Sequence, residues 1–206
     1  MSLNAFSHKI SPGASGAPAL FLFHGTGGDE FQLMSLGRDL LPEATLVAPR
    51  GDVSEGGALR FFRRTGEGVY DMADLARATA KVAGFVRAQI SALEPESVLG
   101  LGYSNGANIL ASTLFADPTI FDAVLLMHPL IPFDPVVEGT LLGKRVLITA
   151  GKRDPICPPH LTSRLEAELR ELGAEVDIAW HEGGHEIRPV EIDTARRFVA
   201  AERGDG

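Results

Sequence analysis

The sequence predicts an α/β protein built on an open, doubly wound, mostly parallel sheet with helices on both faces. Two observations predict it. Short, β-rich apolar runs alternate along the chain with longer stretches of helical periodicity, the order that builds parallel sheets through right-handed crossovers. Most of the runs are continuously apolar rather than alternating, the mark of strands covered on both faces. The length of 206 residues favours one domain over residues 1–206, with one sizeable core. No internal repeat or low-complexity tract competes with this reading.

The expected strands, in order, are Ala19–Phe23, Thr45–Ala48, Ser97–Leu101, Ala123–Met127, Arg145–Ala150 and Glu175–Trp180. The expected helices lie between them. A short one covers 29–40. A long one covers 71–93 and places Met72, Leu75, Val82, Val86, Ile90 and Leu93 at helical spacing. Others cover 105–116, 159–172 and 187–200. Two stretches break the rhythm. Residues 51–70 are Gly-rich, too long for an ordinary connection, and carry Arg60-Phe61-Phe62-Arg63-Arg64; residues 129–143 carry Leu130, Ile131, Phe133 and Val136. Both leave the carboxyl ends of expected strands, the edge where open α/β sheets bind ligands.

The formal net charge of -8 argues against nucleic acid, whose phosphates need a basic footprint. Cys157 is the only cysteine, so no intrachain disulfide can form, which fits a reducing compartment. The first ten residues show neither a basic nor an apolar signal region, and no apolar run approaches a bilayer's thickness. The expectation is a cytoplasmic protein with no membrane partner.

The sharpest local signal is Gly102-Tyr103-Ser104-Asn105-Gly106, a G-x-S-x-G pattern after an expected strand and before an expected helix. On such a turn the serine hydroxyl is lifted above the sheet edge, and a side chain at Gly102 or Gly106 would collide across it. The following helix aims its free N–H groups at the site. The bland alternative is a plain Gly/Ser loop, which the strand–turn–helix context disfavours. A serine hydroxyl needs a base, and the base an orienter. They are expected on loops after later strands, in the order serine, acid, histidine. Asp154 follows the strand ending at Ala150, and His185 follows the strand ending at Trp180, approached through Gly183-Gly184.

The competitors fit less well. Asp177 lies within a strand and Asp193 within a helix; Glu182 follows the wrong strand to supply the acid; His181 ends its own strand. His24 and His128 lie upstream of the expected base, and structural roles suit them better. An oxyanion needs donors, and the candidates are the backbone N–H groups of Asn105 and Thr26, the latter in His24-Gly25-Thr26-Gly27-Gly28. That loop lacks the Lys of a phosphate loop, and Glu30 breaks a dinucleotide pattern. His181 and His185 are four apart, but Gly183-Gly184 spoils a helical metal pair, so no metal is expected. Cys157 has no elbow around it and suits a packed thiol.

Together LFHGTGGDE, APRG, RFFRR, GYSNGAN, AGKRDPICP and GGHEI fall in the order of a known family. The chain resembles the carboxylesterase/lysophospholipase/acyl-protein-thioesterase branch of the α/β-hydrolases, over nearly its whole length. GYSNGAN and RFFRR look most like its bacterial esterase subgroup, some of whose members are linked to hydroquinone or other aromatic-compound stress. The resemblance implies an α/β-hydrolase fold; the chain departs from larger members in having little sequence before its first strong strand, so one or two edge strands and a cap domain are expected to be missing. The resemblance also implies a Ser104–Asp154–His185 triad, oxyanion donors at Thr26 and Asn105, no cofactor, and a homodimer as one option.

The expected chemistry is cleavage of a small ester of short or medium acyl chain through an acyl-enzyme. Thioesters and lysophospholipids are alternative substrates, and a non-catalytic ligand receptor is a second class. Phe61 or Phe62 could wall the acyl or aromatic pocket and Arg63 or Arg64 could hold an anionic group. Equally, the aromatics could pack in the core and the arginines form surface pairs.

Overall fold

The computed structural model describes residues 2–66, 68–137 and 139–202. Its strands are β1 (His8–Ser11), β2 (Ala19–Phe23), β3 (Thr45–Pro49), β4 (Val53–Glu55), β5 (Ala58–Arg60), β6 (Arg64–Gly66), β7 (Val69–Tyr70), β8 (Val98–Tyr103), β9 (Ala123–Met127), β10 (Arg145–Gly151) and β11 (Glu175–His181). Its helices are α1 (Met34–Leu40), α2 (Met72–Leu93), α3 (Asn105–Ala116), α4 (Pro159–Glu171) and α5 (Pro189–Glu202).

Seven strands form the main sheet in the order β1-β3-β2-β8-β9-β10-β11. Six run parallel, and β1 closes one edge antiparallel to β3. The chain leaves β3, recrosses β2 and enters the sheet again at β8. The crevice between the ends of β2 and β8 is therefore the topological switch point, where such sheets bind ligands.

The continuous apolar runs bury both of their faces, as their composition requires. In β2, Phe21 and Phe23 join the core under α2, α3 and α4, while Leu20 and Leu22 join the core under α1 and α5. The long helix α2 buries Leu75, Ala78, Val82, Phe85 and Val86 at three- and four-residue spacing. It starts where Asp71 accepts from the Asp74 N–H at 3.0 Å, an N-cap that satisfies one of the first-turn donors. At the far edge, β11 leaves Glu175 and Asp177 exposed, charges that discourage pairing with another chain.

Three differences from the sequence reading have simple causes. The segment expected as helix over 29–40 is helical only from Met34, because residues 30–33 form turns in which the Asp29 carboxylate accepts the Phe31 N–H. The edge strand β1, His-Lys-Ile-Ser, is polar and partly exposed, so it carries no apolar signature. Within the loop after β3, β4 pairs with β5 and β6 with β7, both antiparallel, in strands of two or three residues that are too short for periodicity to register.

Candidate active site

The site begins with the turn that leaves β8. Ser104 has φ 53° and ψ -117°, a strained conformation for a residue with a side chain, of the kind that clusters at functional sites. The turn is held by the Ser104 N–H, which donates to Met127 O at 2.8 Å. The two flanking glycines are needed for different reasons. A Cβ on Gly102 would lie 2.5 Å from Gly106 O, across the turn, whereas one on Gly106 would lie 1.9 Å from Phe23 O of the adjacent strand. The second collision is with β2 and not across the turn, so Gly106 lets α3 start close against the switch-point strand.

Ser104 caps α3, which leaves the Asn105 N–H in the first helical turn without an intrahelical acceptor. The Asn105 side chain faces the other way, and its Oδ1 accepts the Phe61 N–H at 2.8 Å. That bond ties the segment after β5 to the turn. Thr26 lines the same cavity as Ser104 and Asn105, and its Oγ1 accepts from Arg60 at 2.9 Å. His24, just before it, donates from Nδ1 to Gly25 O and accepts the Gly51 N–H at Nε2, both at 2.8 Å. Burial lowers its pKa, which suits the neutral ring these two bonds require.

Asp154 and His185 converge on Ser104 from the loops after β10 and β11. His185 Nε2 lies 2.9 Å from Ser104 Oγ, and His185 Nδ1 lies 2.7 Å from Asp154 Oδ2. With the proton on Nδ1, the serine hydroxyl donates to the ring and the ring to the carboxylate. The other carboxylate oxygen, Oδ1, accepts the N–H groups of Ile156 and Cys157 at 2.8 and 2.9 Å. Burial pushes the Asp154 pKa up, but the hydrogen bonds from Cys157, His128, His185 and Ile156 outweigh it and hold the group below its ordinary value. Asp154 is thus an anion fixed on both oxygens. Tyr103 steadies the loop that carries the imidazole: its hydroxyl donates to His185 O at 2.8 Å.

Behind Asp154 lies a cluster that the sequence did not announce. His128, at the end of β9, is fully buried and has φ 52°. Its Nδ1 is 2.9 Å from Asp154 Oδ2, and its Nε2 is 3.0 Å from Glu191 Oε1, the latter off the direction of a hydrogen bond. Glu191, from α5, is also fully buried; it accepts from the Thr149 hydroxyl and the Arg188 N–H, each at 2.5 Å. His181 Nε2 stands 3.2 Å from its Oε2. Burial pushes the Glu191 pKa up, but the contacts with His128, Thr149 and Arg188 bring it below its ordinary value. For His128 burial acts downward, and Glu191 and Asp154 together raise the pKa above 6.5. The positive φ of His128 and the buried acid of α5 are visible only in three dimensions; the His-Pro pair ending an apolar run was the one available hint.

By ligand type, His128, His181 and Glu191 could hold a cation, since their ligand atoms lie within 4.8 Å of one another. The tautomer of His181 argues against it. Its Nδ1 accepts the Gly183 N–H at 2.9 Å, so the proton of the neutral ring sits on Nε2, the atom a metal would need.

Ser104 opens on a cavity of 320 Å³ lined by Thr26, Arg60, Arg64, Tyr70, Asn108 and Leu130 among others. Phe62 and Arg63 do not line it. Phe62 is fully buried against Tyr70, with ring centroids 4.8 Å apart, and Arg63 points outward to Asp71 and Asp74. Arg64, which pairs with Tyr70 across β6–β7, borders the cavity and Arg63 does not. Phe61 is likewise a core residue, packed on Phe6, Phe23 and His24. Cys157 also borders the cavity; burial pushes its thiol pKa well up, so it is not a thiolate. Among the described residues no helix is long and apolar enough to cross a membrane.

The sequence profile of the dienelactone hydrolase family matches residues 58–186. The chain is 40% identical over 181 residues to MhqD of Bacillus subtilis (strain 168), which is named a hydrolase; the match covers 87% of this chain and 90% of that one. Among solved structures, Atu2452 of Agrobacterium tumefaciens str. C58, a protein of unknown function, is 56% identical with a TM-score of 0.93 over 98% of both chains. A carboxylesterase of Bacillus cereus is 34% identical with a TM-score of 0.91, over 95% of this chain and 94% of that one. A carboxylesterase of Mesorhizobium loti is 32% identical with a TM-score of 0.85, over 95% of both.

Proposed function

The chain belongs to the dienelactone hydrolase family and is an esterase-type hydrolase, and from that premise we propose that it cleaves carboxylic esters through an acyl-enzyme on Ser104. The observation that carries this reading is the unbroken chain from Ser104 Oγ to His185 Nε2 and from His185 Nδ1 to Asp154, at 2.9 and 2.7 Å, standing on a strained strand-to-helix turn at the switch point. His185 takes the serine proton as Ser104 attacks the ester carbonyl. Asp154 holds the tautomer that leaves Nε2 free and stabilises the imidazolium that forms. The N–H groups of Asn105 and Thr26 receive the developing oxyanion. His185 then returns the proton to the leaving alcohol, and water releases the acid by the reverse path.

The cavity's size supports small esters of short or medium acyl chain. Its wall carries the guanidinium groups of Arg60 and Arg64, which pair with Glu55 at 3.5 and 3.0 Å. They favour an ester that also bears an acidic group, which would compete with Glu55 for Arg64.

The test is a panel of p-nitrophenyl esters of rising chain length, neutral and acidic, with Ser104→Ala as control. Turnover should fall by roughly four to six decades in the variant, and acetate or butyrate should be preferred over long chains. Undiminished activity in Ser104→Ala would remove the assignment. For the acidic-ester preference, Arg64→Gln should lower the acidic-to-neutral kcat/KM ratio severalfold; an unchanged ratio would remove that part alone.

A further inference from the structure

We propose that His128 is a positioning residue, held as an imidazolium between two ionised carboxylates, Asp154 and Glu191, and that this buried cation fixes the orientation and charge of Asp154 behind His185. The role in catalysis rests on reading Ser104, His185 and Asp154 as a triad. The charge of His128 does not.

The charge follows from the atoms that face each ring nitrogen. Nδ1 meets Asp154 Oδ2 at 2.9 Å and Nε2 meets Glu191 Oε1 at 3.0 Å. A neutral ring has one nitrogen without a proton, and either choice would set its lone pair against a carboxylate oxygen inside contact distance. Protonating a carboxylate instead would need an acceptor beside the oxygen that takes the hydrogen. Asp154 has none to spare: two backbone N–H groups occupy Oδ1, and His185 and His128 meet at Oδ2. Glu191 already accepts from Thr149 on one oxygen and from Arg188 N–H on the other. Beside the second oxygen stands His181, whose Nε2 carries its proton because Gly183 donates to Nδ1. The other groups around Glu191 are thus N–H or O–H groups, which suits an ionised carboxylate, and His128 Nε2 faces it at 3.0 Å as an ion pair off the direction of a hydrogen bond.

The titratable groups facing the ring from the packed elements are Asp154 and Cys157 after β10, Tyr103 of β8, His181 of β11, His185 and Glu191. Burial raises the pKa of Tyr103 and of Cys157, so both are neutral. Cys157 Sγ donates to the His128 carbonyl at 3.2 Å, which helps hold the backbone in its left-handed conformation. Both residues that carry this geometry at the sheet edge, Ser104 and His128, thus share a strained backbone with positive φ. Three charges in a row, Asp154 negative, His128 positive and Glu191 negative, leave the buried trio with one net negative charge to face His185. The arrangement keeps Asp154 ionised in a dry setting, where a lone carboxylate would tend to take up a proton.

Replacing Glu191 with Gln removes the second anion, so His128 should drop its Nε2 proton and keep only its bond to Asp154. His185 then loses a cation whose ring lies 5.1 Å from its own, while the lost anion sat one imidazole further away. The His185 imidazolium becomes easier to form. The experiment is ¹⁵N NMR of the histidine rings together with the pH profile of kcat/KM for p-nitrophenyl acetate, on wild type and Glu191→Gln. The His128 signals are assigned by their loss in His128→Gln or, should that variant not fold, by contacts to both the Tyr103 and the His181 rings. Wild type should show both His128 nitrogens protonated from pH 6 to 8, and Glu191→Gln only Nδ1. The acid limb of the profile should move up by roughly half to one pH unit, with KM little changed. A singly protonated His128 in wild type overturns the proposal whatever the activity. A doubly protonated His128 with an acid limb that does not move in Glu191→Gln overturns the positioning role. Retained activity in Ser104→Ala would instead refute the triad, and the spectra would still decide the charge of His128.

Discussion

Two imidazoles meet one carboxylate oxygen in this molecule, and they differ in almost everything else. His185 and His128 both place Nδ1 on Asp154 Oδ2, at 2.7 and 2.9 Å. The side chain of His185 is 17% exposed on a loop after β11, and its second nitrogen faces the hydroxyl of Ser104. The side chain of His128 is 0% exposed at the end of β9, and its second nitrogen faces Glu191. The lesson is that a shared partner does not set the role of an imidazole; what the other nitrogen sees does. A hydroxyl there can surrender a proton, so the ring can act as a base. A carboxylate there favours a second proton on the ring, so the ring serves as a charge and not as a base.

The widest separation between the two rings should appear when each is removed. His185→Ala should cost about 10⁴-fold or more in kcat/KM and leave thermal stability nearly unchanged, because the ring is partly exposed. His128→Asn should cost only about ten- to hundredfold in kcat/KM, the range expected of a supporting partner. It should destabilise the fold by roughly 3–5 kcal/mol, since it leaves two buried carboxylates without their cation. Activity assays paired with denaturant titration check both. Equal losses of activity would erase the distinction.

The same contrast of burial separates two neighbours in the loop over the site. Phe62→Ala should destabilise by about 3–5 kcal/mol, as a core truncation does, whereas Arg63→Ala should cost about 1 kcal/mol or less. Neither should alter the acidic-to-neutral ester preference. A change of preference with Arg63→Ala would return that residue to the binding site.

The smallest effect concerns pH. The pKa of Asp154 and of Glu191 is lowered by folding, so the stability they contribute is present above their unfolded values and is lost as pH falls through the folded ones. The pKa of His128 is raised above 6.5, so its contribution is full below that value and is lost as pH rises through the folded pKa. Denaturant midpoints should therefore fall on the acid side through the carboxylates and on the alkaline side through His128. The alkaline fall should be weaker in His128→Asn than in wild type; an identical alkaline slope would mean that His128 does not titrate differently on folding.

Much of the frame was legible because burial on two faces leaves a continuous apolar signature. The parallel strands and α2 to α5 all sit within a few residues of the segments expected for them, and α1 fills the later part of its expected segment because turn chemistry delays its start, while β1 and the two short strand pairs of the loop were hidden by polarity or brevity. Within the site, Ser104, Asp154 and His185 could be singled out because each follows a strand in a fixed order, and the fold brings their side chains together. His128 and Glu191 could not. They stand 63 positions apart and belong to a strand end and a helix, and nothing in either local pattern says that the Glu191 carboxylate turns inward. Arg63 and Arg64 were indistinguishable in a run of basic and aromatic residues; the fold sends Arg63 to Asp71 and Asp74 and leaves Arg64 on the cavity.

The central claim is that Ser104 is the nucleophile, and covalent labelling tests it most directly. A fluorophosphonate probe should add once to the native protein, with the adduct mapped by peptide mass spectrometry to Ser104 and absent in Ser104→Ala. An adduct that persists in Ser104→Ala, or native enzyme that hydrolyses esters yet never labels at Ser104, would contradict the account.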